Sequence, residues 1–414
     1  MKKHTVRKTS GEKAHDEAPL RQTINQLVAS ETISAQTVLT KAMMTELTPF
    51  QTSADNIVIR SMPMRQRIDW LLDHAHRHSV GFQTPSSFLA RSLYLAQHPT
   101  SVVGFSCMDG RINLSVATGT PPGIIMPFRN LGGRFDLGWP YLSDVLAEHV
   151  LGAVAKGRCT LALITYHYSR GDSHRGCAGF QYDTDAARSH TFEIKRQVEE
   201  IFGEDHNAVY PLVCGFETDE DALVLHGSNG EVLDLSTLPA TTHDVLPALL
   251  TRLYPEMPNQ ILQDLLPLIQ GNMAHIAGIK LCNRELDLEH HEHHEWIIGV
   301  GRGFDWLNTP NLALIIGPYS PDLADPIRKA AGIIEANMKG RRIPDEGFLL
   351  LTVSPYYGIG ADHARAKLKS TFLSEFSAGI IRTEFPSLKE KMHIRTATIA
   401  WQSRVLEMID SSAT

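Results

Sequence analysis

Three short polar segments each follow a stretch of apolar, β-branched sequence and carry side chains that bind metals or ionise. The first segment is Cys107-Met108-Asp109-Gly110-Arg111, and the second is Arg129-Asn130-Leu131-Gly132-Gly133. The third spans residues 166–179 and contains His167, His174 and Cys177. In a parallel α/β sheet, binding sites form at the carboxyl ends of the strands. We therefore expect these three segments to converge.

Two cysteines and one histidine match the ligand set of a catalytic zinc site. Three protein ligands of this kind leave the fourth tetrahedral position of the metal open for water or substrate. Cys107 and Cys177 are the predicted thiolate ligands. The histidine is either His167, at the end of the third predicted strand, or His174, which stands three residues before Cys177.

Two charged residues flank the first predicted ligand. Arg111 can hold Asp109 in its ionised form and aim it at the open zinc position. Both residues are therefore predicted to be catalytic. Cys177 is expected to open a helix, whose dipole favours the thiolate form.

The elements that position these residues follow from the hydrophobic pattern. The fragments SVVGFSC, GIIMPFRN and CTLALITYHYS are predicted strands, and apolar runs of this kind are typical of parallel strands buried on both faces. Fragments with helical periodicity lie between and after them, namely YLSDVLAEHVLGAVAKG and AARSHTFEIKRQVEEIFG. The pattern predicts an α/β domain around a mostly parallel sheet flanked by helices.

The order of elements divides the chain into four predicted regions. Residues 1–18 are polar and are expected to form a disordered tail, and residues 19–98 a helical N-terminal domain. Residues 99–287 form the predicted catalytic domain. Residues 288–414 repeat its order of strands and helices and are read as a degenerate, metal-free copy. In this copy an apolar or glycine position near Val300 replaces Cys107, and SPYYG, ending near Tyr357, replaces TYHYS.

Composition narrows the class of protein. With 414 residues, 43% apolar and 21% charged, the chain is an ordinary globular one of two or three domains. A net charge of −7 gives no reason to expect a nucleic-acid partner, and no run of about 20 apolar residues suggests a membrane span. The amino terminus does not resemble a secretory signal, and five scattered cysteines favour the cytoplasm over a disulfide framework.

Other motifs are given structural explanations. The run Glu289-His290-His291-Glu292-His293-His294-Glu295 is interpreted as an exposed segment that binds metals loosely, because its dense spacing offers no enclosed pocket. Gly301-Arg302-Gly303 lacks the full glycine fingerprint of a dinucleotide site. Cys159, Cys214 and Cys282 are expected to be core residues.

The pattern Cys-x-Asp-x-Arg followed by histidine and cysteine resembles the β-class carbonic anhydrase signature, and RNLGG resembles the Arg-Asn-Ala-Gly segment of that class. More narrowly, YHYSRGDSHRGCAG and NLGGRFDLGWP resemble the carboxysome shell carbonic anhydrases, a divergent β subclass. That subclass has a helical N-terminal domain, a catalytic domain and a decayed C-terminal copy without metal. It uses the earlier histidine, so the resemblance favours His167 and leaves His174 as a neighbouring group or proton shuttle.

The resemblance implies an activity and partners. Zinc-bound hydroxide would hydrate carbon dioxide reversibly to bicarbonate and a proton. Asp109 would orient the hydroxide or, as in some β enzymes, move onto the zinc and close the site. A homodimer or higher homo-oligomer is expected, located in the cytoplasm or the carboxysome, with a carboxysome shell protein or Rubisco as a further partner.

Two alternative functions remain open from the sequence. The same fold and ligands serve for hydrolysis of a related linear molecule such as carbon disulfide. The chain could instead be a non-catalytic carboxysome shell or scaffold protein with a vestigial site, although intact Asp109 and Arg111 argue against decay.

Overall fold

The computed structural model describes residues 58–239, 242, 244–281 and 292–409. The predicted tail over residues 1–18 and the first part of the predicted helical domain lie outside these residues, as do Cys282, His290 and His291. The predicted domain boundaries at 18, 98 and 287 therefore stay predictions.

Two helices precede the first sheet, as the periodicity predicts. Helix α1 covers Met64–Phe82 and α2 covers Pro85–Gln97. Proline begins α2 at its first turn, where no backbone donor is needed, and the Thr84 hydroxyl accepts a hydrogen bond from the Ser87 amide. The apolar face of α1, including Ile68 and Leu71, is buried in the main core.

The first sheet has six strands. The elements of this part of the chain are β1 (Ser101–Cys107), α3 (Leu114–Ala117), β2 (Ile125–Asn130), α4 (Pro140–Val154), β3 (Thr160–Tyr168), α5 (Thr184–Phe202), β4 (Val209–Glu217), β5 (Ala222–His226) and β6 (Val232–Asp234). The strands lie in the order β2-β1-β3-β4-β5-β6, and neighbouring strands are parallel from β2 to β4 and antiparallel from β4 to β6. Strands β3 and β4 are buried along almost their whole length, as expected of strands covered on both faces.

Two helices, α6 (Leu246–Leu253) and α7 (Asn259–Leu281), connect the sheets. The second sheet comprises β7 (Ile297–Gly301), β8 (Ala313–Ile316), α8 (Ala324–Lys339), β9 (Phe348–Tyr356), α9 (Ala361–Glu384), β10 (Met392–Ala400) and β11 (Leu406–Met408). Its order, β8-β7-β9-β10-β11, repeats that of the first five strands of the first sheet, with the last pair again antiparallel. The equivalent helices α5 and α9 each pack on the third and fourth strands of their own sheet.

The predicted fold class is confirmed: a mostly parallel α/β sheet flanked by helices is followed by a second sheet with the same topology. One hydrophobic cluster contains residues from α1, from both sheets and from the connecting helices, so the two halves share a core. Among the described helices, none combines the length and apolar character that crossing a membrane requires.

Candidate metal centre

The three predicted zinc ligands lie together in the structure. One donor atom from each of Cys107, His167 and Cys177 can be chosen so that all three lie within 4.8 Å of one another. The three residues are 6%, 1% and 2% exposed, so the cluster is closed to bulk solvent. A buried histidine and two buried thiols at such short separations are the donor set that zinc prefers.

Parallel pairing aligns the strand ends that carry the cluster. Cys107 is the last residue of β1 and lies opposite Asn130, the last residue of β2, while His167 is the penultimate residue of β3. The Arg129 guanidinium donates to the carbonyl oxygens of Cys107 (2.7 Å) and Asp109 (2.6 Å). Arg129 of the RNLGG segment therefore holds in place the backbone of the loop that carries Cys107 and Asp109.

Two glycines let the second and third segments approach. A Cβ atom on Gly179 would lie 2.5 Å from the Gly132 Cα atom, and Gly132 itself has a φ of +69°. A larger side chain at either position would push the Cys177 loop away from the RNLGG loop, because backbone atoms would be in the way.

The expectation that Cys177 opens a helix is wrong. Cys177 precedes a single 3₁₀ turn, Ala178–Phe180, and the following α-helix begins only at Thr184. The surroundings of the Cys177 thiol nevertheless favour its thiolate form. A hydrogen bond from the Cys107 thiol and backbone N–H groups of Gly179 and Phe180 lower the pKa of Cys177, and the same thiol–thiol bond with burial raises the pKa of Cys107 well above its ordinary value.

His174 lies away from the cluster. Its side chain is 83% exposed and its Nδ1 atom lies 3.3 Å from the Asp172 carboxylate on the same surface turn. The spacing of three residues before Cys177 therefore does not bring His174 to the site, and its suggested role as a neighbouring group has no contact to support it. Of the two histidines left open by the sequence, His167 is the one that meets both cysteines.

Arg111 holds Asp109 beside the cluster. Its Nε and backbone N–H groups donate to Asp109 Oδ1 at 3.0 and 2.9 Å, and its Nη2 donates to Oδ2 at 2.6 Å. Burial opposes ionisation of Asp109, but the Arg111 guanidinium holds its pKa well below the usual range. Asp109 Oδ2 lies 4.0 Å from His167 Nδ1, so an ionised carboxylate faces the ligand cluster.

The exposed-segment interpretation of the histidine-rich run is wrong for its carboxyl end. His293 is half-buried and Glu295 fully buried, and both face the Asp109–Arg111 pair. His293 Nε2 lies 3.4 Å from Arg111 Nη2 and 3.8 Å from Asp109 Oδ2, and His293 Nδ1 lies 3.0 Å from Glu295 Oε1. Burial alone would lower the pKa of His293, but the Glu295 carboxylate raises it.

The backbone of the second half also supports the ligand loop. The amides of Ile315 and Asn311 donate to the carbonyl oxygens of Met108 (3.0 Å) and Gly110 (2.8 Å), and the Gly317 amide donates to Arg129 (2.7 Å). A Cβ atom on Gly110 would lie 2.8 Å from the Ala313 carbonyl oxygen. The candidate ligand cluster thus belongs to the first half, but the residues that support it come from both halves.

The chemistry of the cluster fits zinc. Both ring nitrogens of His167 are buried and have no hydrogen-bond partner among the described residues, although an unpaired buried polar atom is costly. Cys107 and Cys177 are free thiols. A bound cation would satisfy one His167 nitrogen and engage both sulfurs at once.

The second half has other residues at the positions equivalent to His167 and Cys107. Strands β3 and β9 each have nine residues, and each pairs with its parallel neighbour from its first residue onward. When residues are counted from those first positions, Ile164 is equivalent to Thr352 and His167 to Pro355. Phe105 lies opposite Ile164 and Val300 opposite Thr352, which makes Arg302 the equivalent of Cys107. The expected apolar or glycine position near Val300 is therefore corrected to an arginine two residues later.

The remaining cysteines differ in burial. Cys214 is fully buried in β4, as expected of a core residue, whereas Cys159 is only partly buried and its thiol donates to the Asn207 carbonyl oxygen.

Replacing each histidine by alanine separates the two ligand assignments. We expect His167→Ala to lose most of its zinc, because one of three protein ligands is removed, and His174→Ala to keep it. Metal analysis of the two purified variants after identical dialysis makes the comparison. Zinc loss in His174→Ala alone would reverse the assignment.

Comparisons with known proteins found likenesses among solved structures. No protein-family model matches the chain, and no curated protein matches it. A solved structure described as the structure of the β-carbonic anhydrase CcaA is similar to part of the chain, with 15% sequence identity and a TM-score of 0.25. The match covers 41% of this chain and 98% of the other.

Proposed function

We propose that this chain is a zinc-dependent carbonic anhydrase of the β class. The observation that carries the proposal is that the buried residues Cys107, His167 and Cys177 lie together, beside an aspartate that an arginine keeps ionised. A purely structural zinc site would close with a fourth protein ligand and would have no use for the Asp109–Arg111 pair.

Zinc held by these three residues would supply a Lewis acid that lowers the pKa of a water molecule to about 7. Asp109 would orient the attacking water. Its Oδ1 already accepts two hydrogen bonds from Arg111, whereas Oδ2 accepts one and retains a lone pair for a further hydrogen bond. Because Arg111 fixes both oxygens, Asp109 can direct that hydrogen bond without first losing side-chain entropy.

His293 and Glu295 would support this arrangement from the second half. Glu295 accepts from His293, and His293 approaches both members of the Asp109–Arg111 pair. The contacts limit how far Arg111 and Asp109 can move, and the His293 ring adds a titratable group at the edge of the site.

Removing the His293 ring should reduce turnover without removing the metal. We expect His293→Ala to lower kcat for carbon dioxide hydration by about 10- to 100-fold, because support of this kind typically has that effect, while zinc content stays near that of the natural protein. His76→Ala, which removes an exposed histidine of α1, is the matched control. Unchanged turnover in His293→Ala would exclude a role for this residue.

Stopped-flow measurement of carbon dioxide hydration, with metal analysis on the same sample, tests the proposed function. Zinc-loaded protein should accelerate hydration far above buffer, and Cys107→Ala should lose metal and rate together. Carbon disulfide is measured in parallel. Turnover of carbon disulfide without carbon dioxide hydration would support the hydrolase alternative, and a zinc-loaded protein inactive on both would support a scaffold role.

A further inference from the structure

A cavity lies where the second half carries the counterpart of the candidate metal centre. Its volume is about 560 Å³, within the range of ~300–1,000 Å³ that is typical of small-molecule sites. Arg302, Tyr357 and Trp401 line it, and they directly follow β7, β9 and β10. The carboxyl ends of the three central strands therefore form one wall of this cavity, much as the ends of β1 and β3 carry the candidate metal ligands in the first half.

The opposite wall comes from the first half. It is formed by the start of β1, by residues 123–127 and by the end of α4 with the turn that follows, including His149, Lys156 and Arg158. The cavity is thus a half-open cleft with one wall from each half of the chain. It shares no residue with the Cys107–His167–Cys177 cluster.

The charges that line the cavity are mostly positive. Four cationic side chains, Lys156, Arg158, Arg302 and Arg404, face two carboxylates, Glu148 and Asp305. Arg404 is paired with Asp305 at 2.8 Å. In the described ranges, no carboxylate oxygen lies within 4.0 Å of the charged nitrogens of Lys156, Arg158 or Arg302, so none of the three forms an ion pair there.

The positive charge acts on the neighbouring histidine. Burial and then the charges of Arg302 and Lys156 lower the pKa of His149, whose Nε2 atom lies 2.8 Å from the Ser101 hydroxyl. Arg302 is partly buried, and the Tyr141 and Tyr319 hydroxyls hydrogen-bond its guanidinium without neutralising the charge. At that depth a guanidinium with no carboxylate partner attracts an anion more strongly than a surface lysine does.

We propose that this cavity binds a small molecule through an oxyanion group, phosphate or carboxylate, held by Arg302, Arg158 and Lys156. Guanidinium groups recognise both oxyanions through paired N–H···O bonds, and the cavity has room for an organic body attached to the charged group. Arg302, which would bind the anion, thus stands at the position equivalent to Cys107, the candidate metal ligand of the first half. The proposal does not depend on the reaction performed at the metal centre.

Calorimetric titration of the zinc-loaded protein tests the proposal, with inorganic phosphate and acetate as separate probes at constant ionic strength set by chloride. We expect saturable binding of at least one probe, and the tighter one identifies the preferred group. The Lys156→Gln/Arg158→Gln double variant should weaken binding by about tenfold or more, because each lost hydrogen bond involves a charged donor. Both residues are on or near the surface, so the variant should fold.

Two controls make the result decisive. Lys367→Gln removes one positive charge from an exposed site on α9 and should leave the affinity unchanged. Arg302→Gln should weaken binding at least as much as the double variant. Binding that is absent for both probes, or that is equal in all variants because the anion sits only at the metal, would overturn the proposal.

Discussion

A chain that ends at Asp287 will be insoluble or inactive, even though it keeps Cys107, His167, Cys177, Asp109 and Arg111. Truncation removes the second sheet, whose strands share a hydrophobic cluster with the first half. Each Å² of apolar surface returned to water costs about 25 cal/mol, so the exposed face would favour aggregation. It also removes His293, Glu295 and the three amides that hold the Met108, Gly110 and Arg129 carbonyl oxygens.

Expression in the soluble fraction, followed by the hydration assay, measures this effect. A chain shortened only to Ile409 keeps every described element and is the matched control, which should behave as the natural protein does. Should the Asp287 truncation prove soluble, monomeric and fully active, the second half would be an independent module and its contacts with the metal loop would have no catalytic importance.

Asp109→Ala should reduce kcat by about 100-fold or more while zinc remains bound, because the variant loses a group that orients the nucleophile but keeps all three zinc ligands. The loss would also leave the Arg111 guanidinium buried without its carboxylate, so some loss of stability is expected. Asp109→Asn retains the shape of the side chain and separates the two effects: it should be folded and zinc-loaded yet still slow.

Hydration rates, zinc content and thermal unfolding of both variants are the required measurements. Asp144→Ala, which removes an exposed carboxylate from α4, is the control and should leave all three unchanged. Turnover equal to that of the natural protein in a zinc-loaded Asp109→Ala variant would mean that the Cys-x-Asp-x-Arg segment is not catalytic.

Strands buried on both faces could be predicted from sequence, because continuous apolar runs mark them. The fragment SVVGFSC coincides with β1, and the long apolar run before Tyr168 coincides with β3. Strand β10 was not predicted. Its first half, MHIRT, is only partly buried and mixes polar with apolar residues, so it lacks the signal that β3 carries.

The convergence of Cys107, His167 and Cys177 could be predicted because all three lie at or after the carboxyl ends of the neighbouring parallel strands β1 and β3. The contribution of His293 could not, because 182 residues separate it from Arg111 and it lies just before the first strand of the other sheet. One signal was present: Glu295 directly precedes Trp296 and the apolar strand β7, so the end of the histidine-rich run had to enter the core. Likewise, only the strand register identified Arg302 as the counterpart of Cys107.

Zinc K-edge absorption spectroscopy on protein freed of loosely held metal tests the central claim most directly. We expect one zinc per chain, coordinated by two sulfur atoms at about 2.3 Å and by nitrogen or oxygen at about 2.0–2.1 Å. One site is expected although Asp109, His293 and Glu295 also lie within reach of one ion, because Arg111 donates to both oxygens of Asp109 and His293 is already paired with Glu295. A zinc coordinated only by nitrogen and oxygen, or two tightly held zincs per chain, would contradict a single centre made by Cys107, His167 and Cys177.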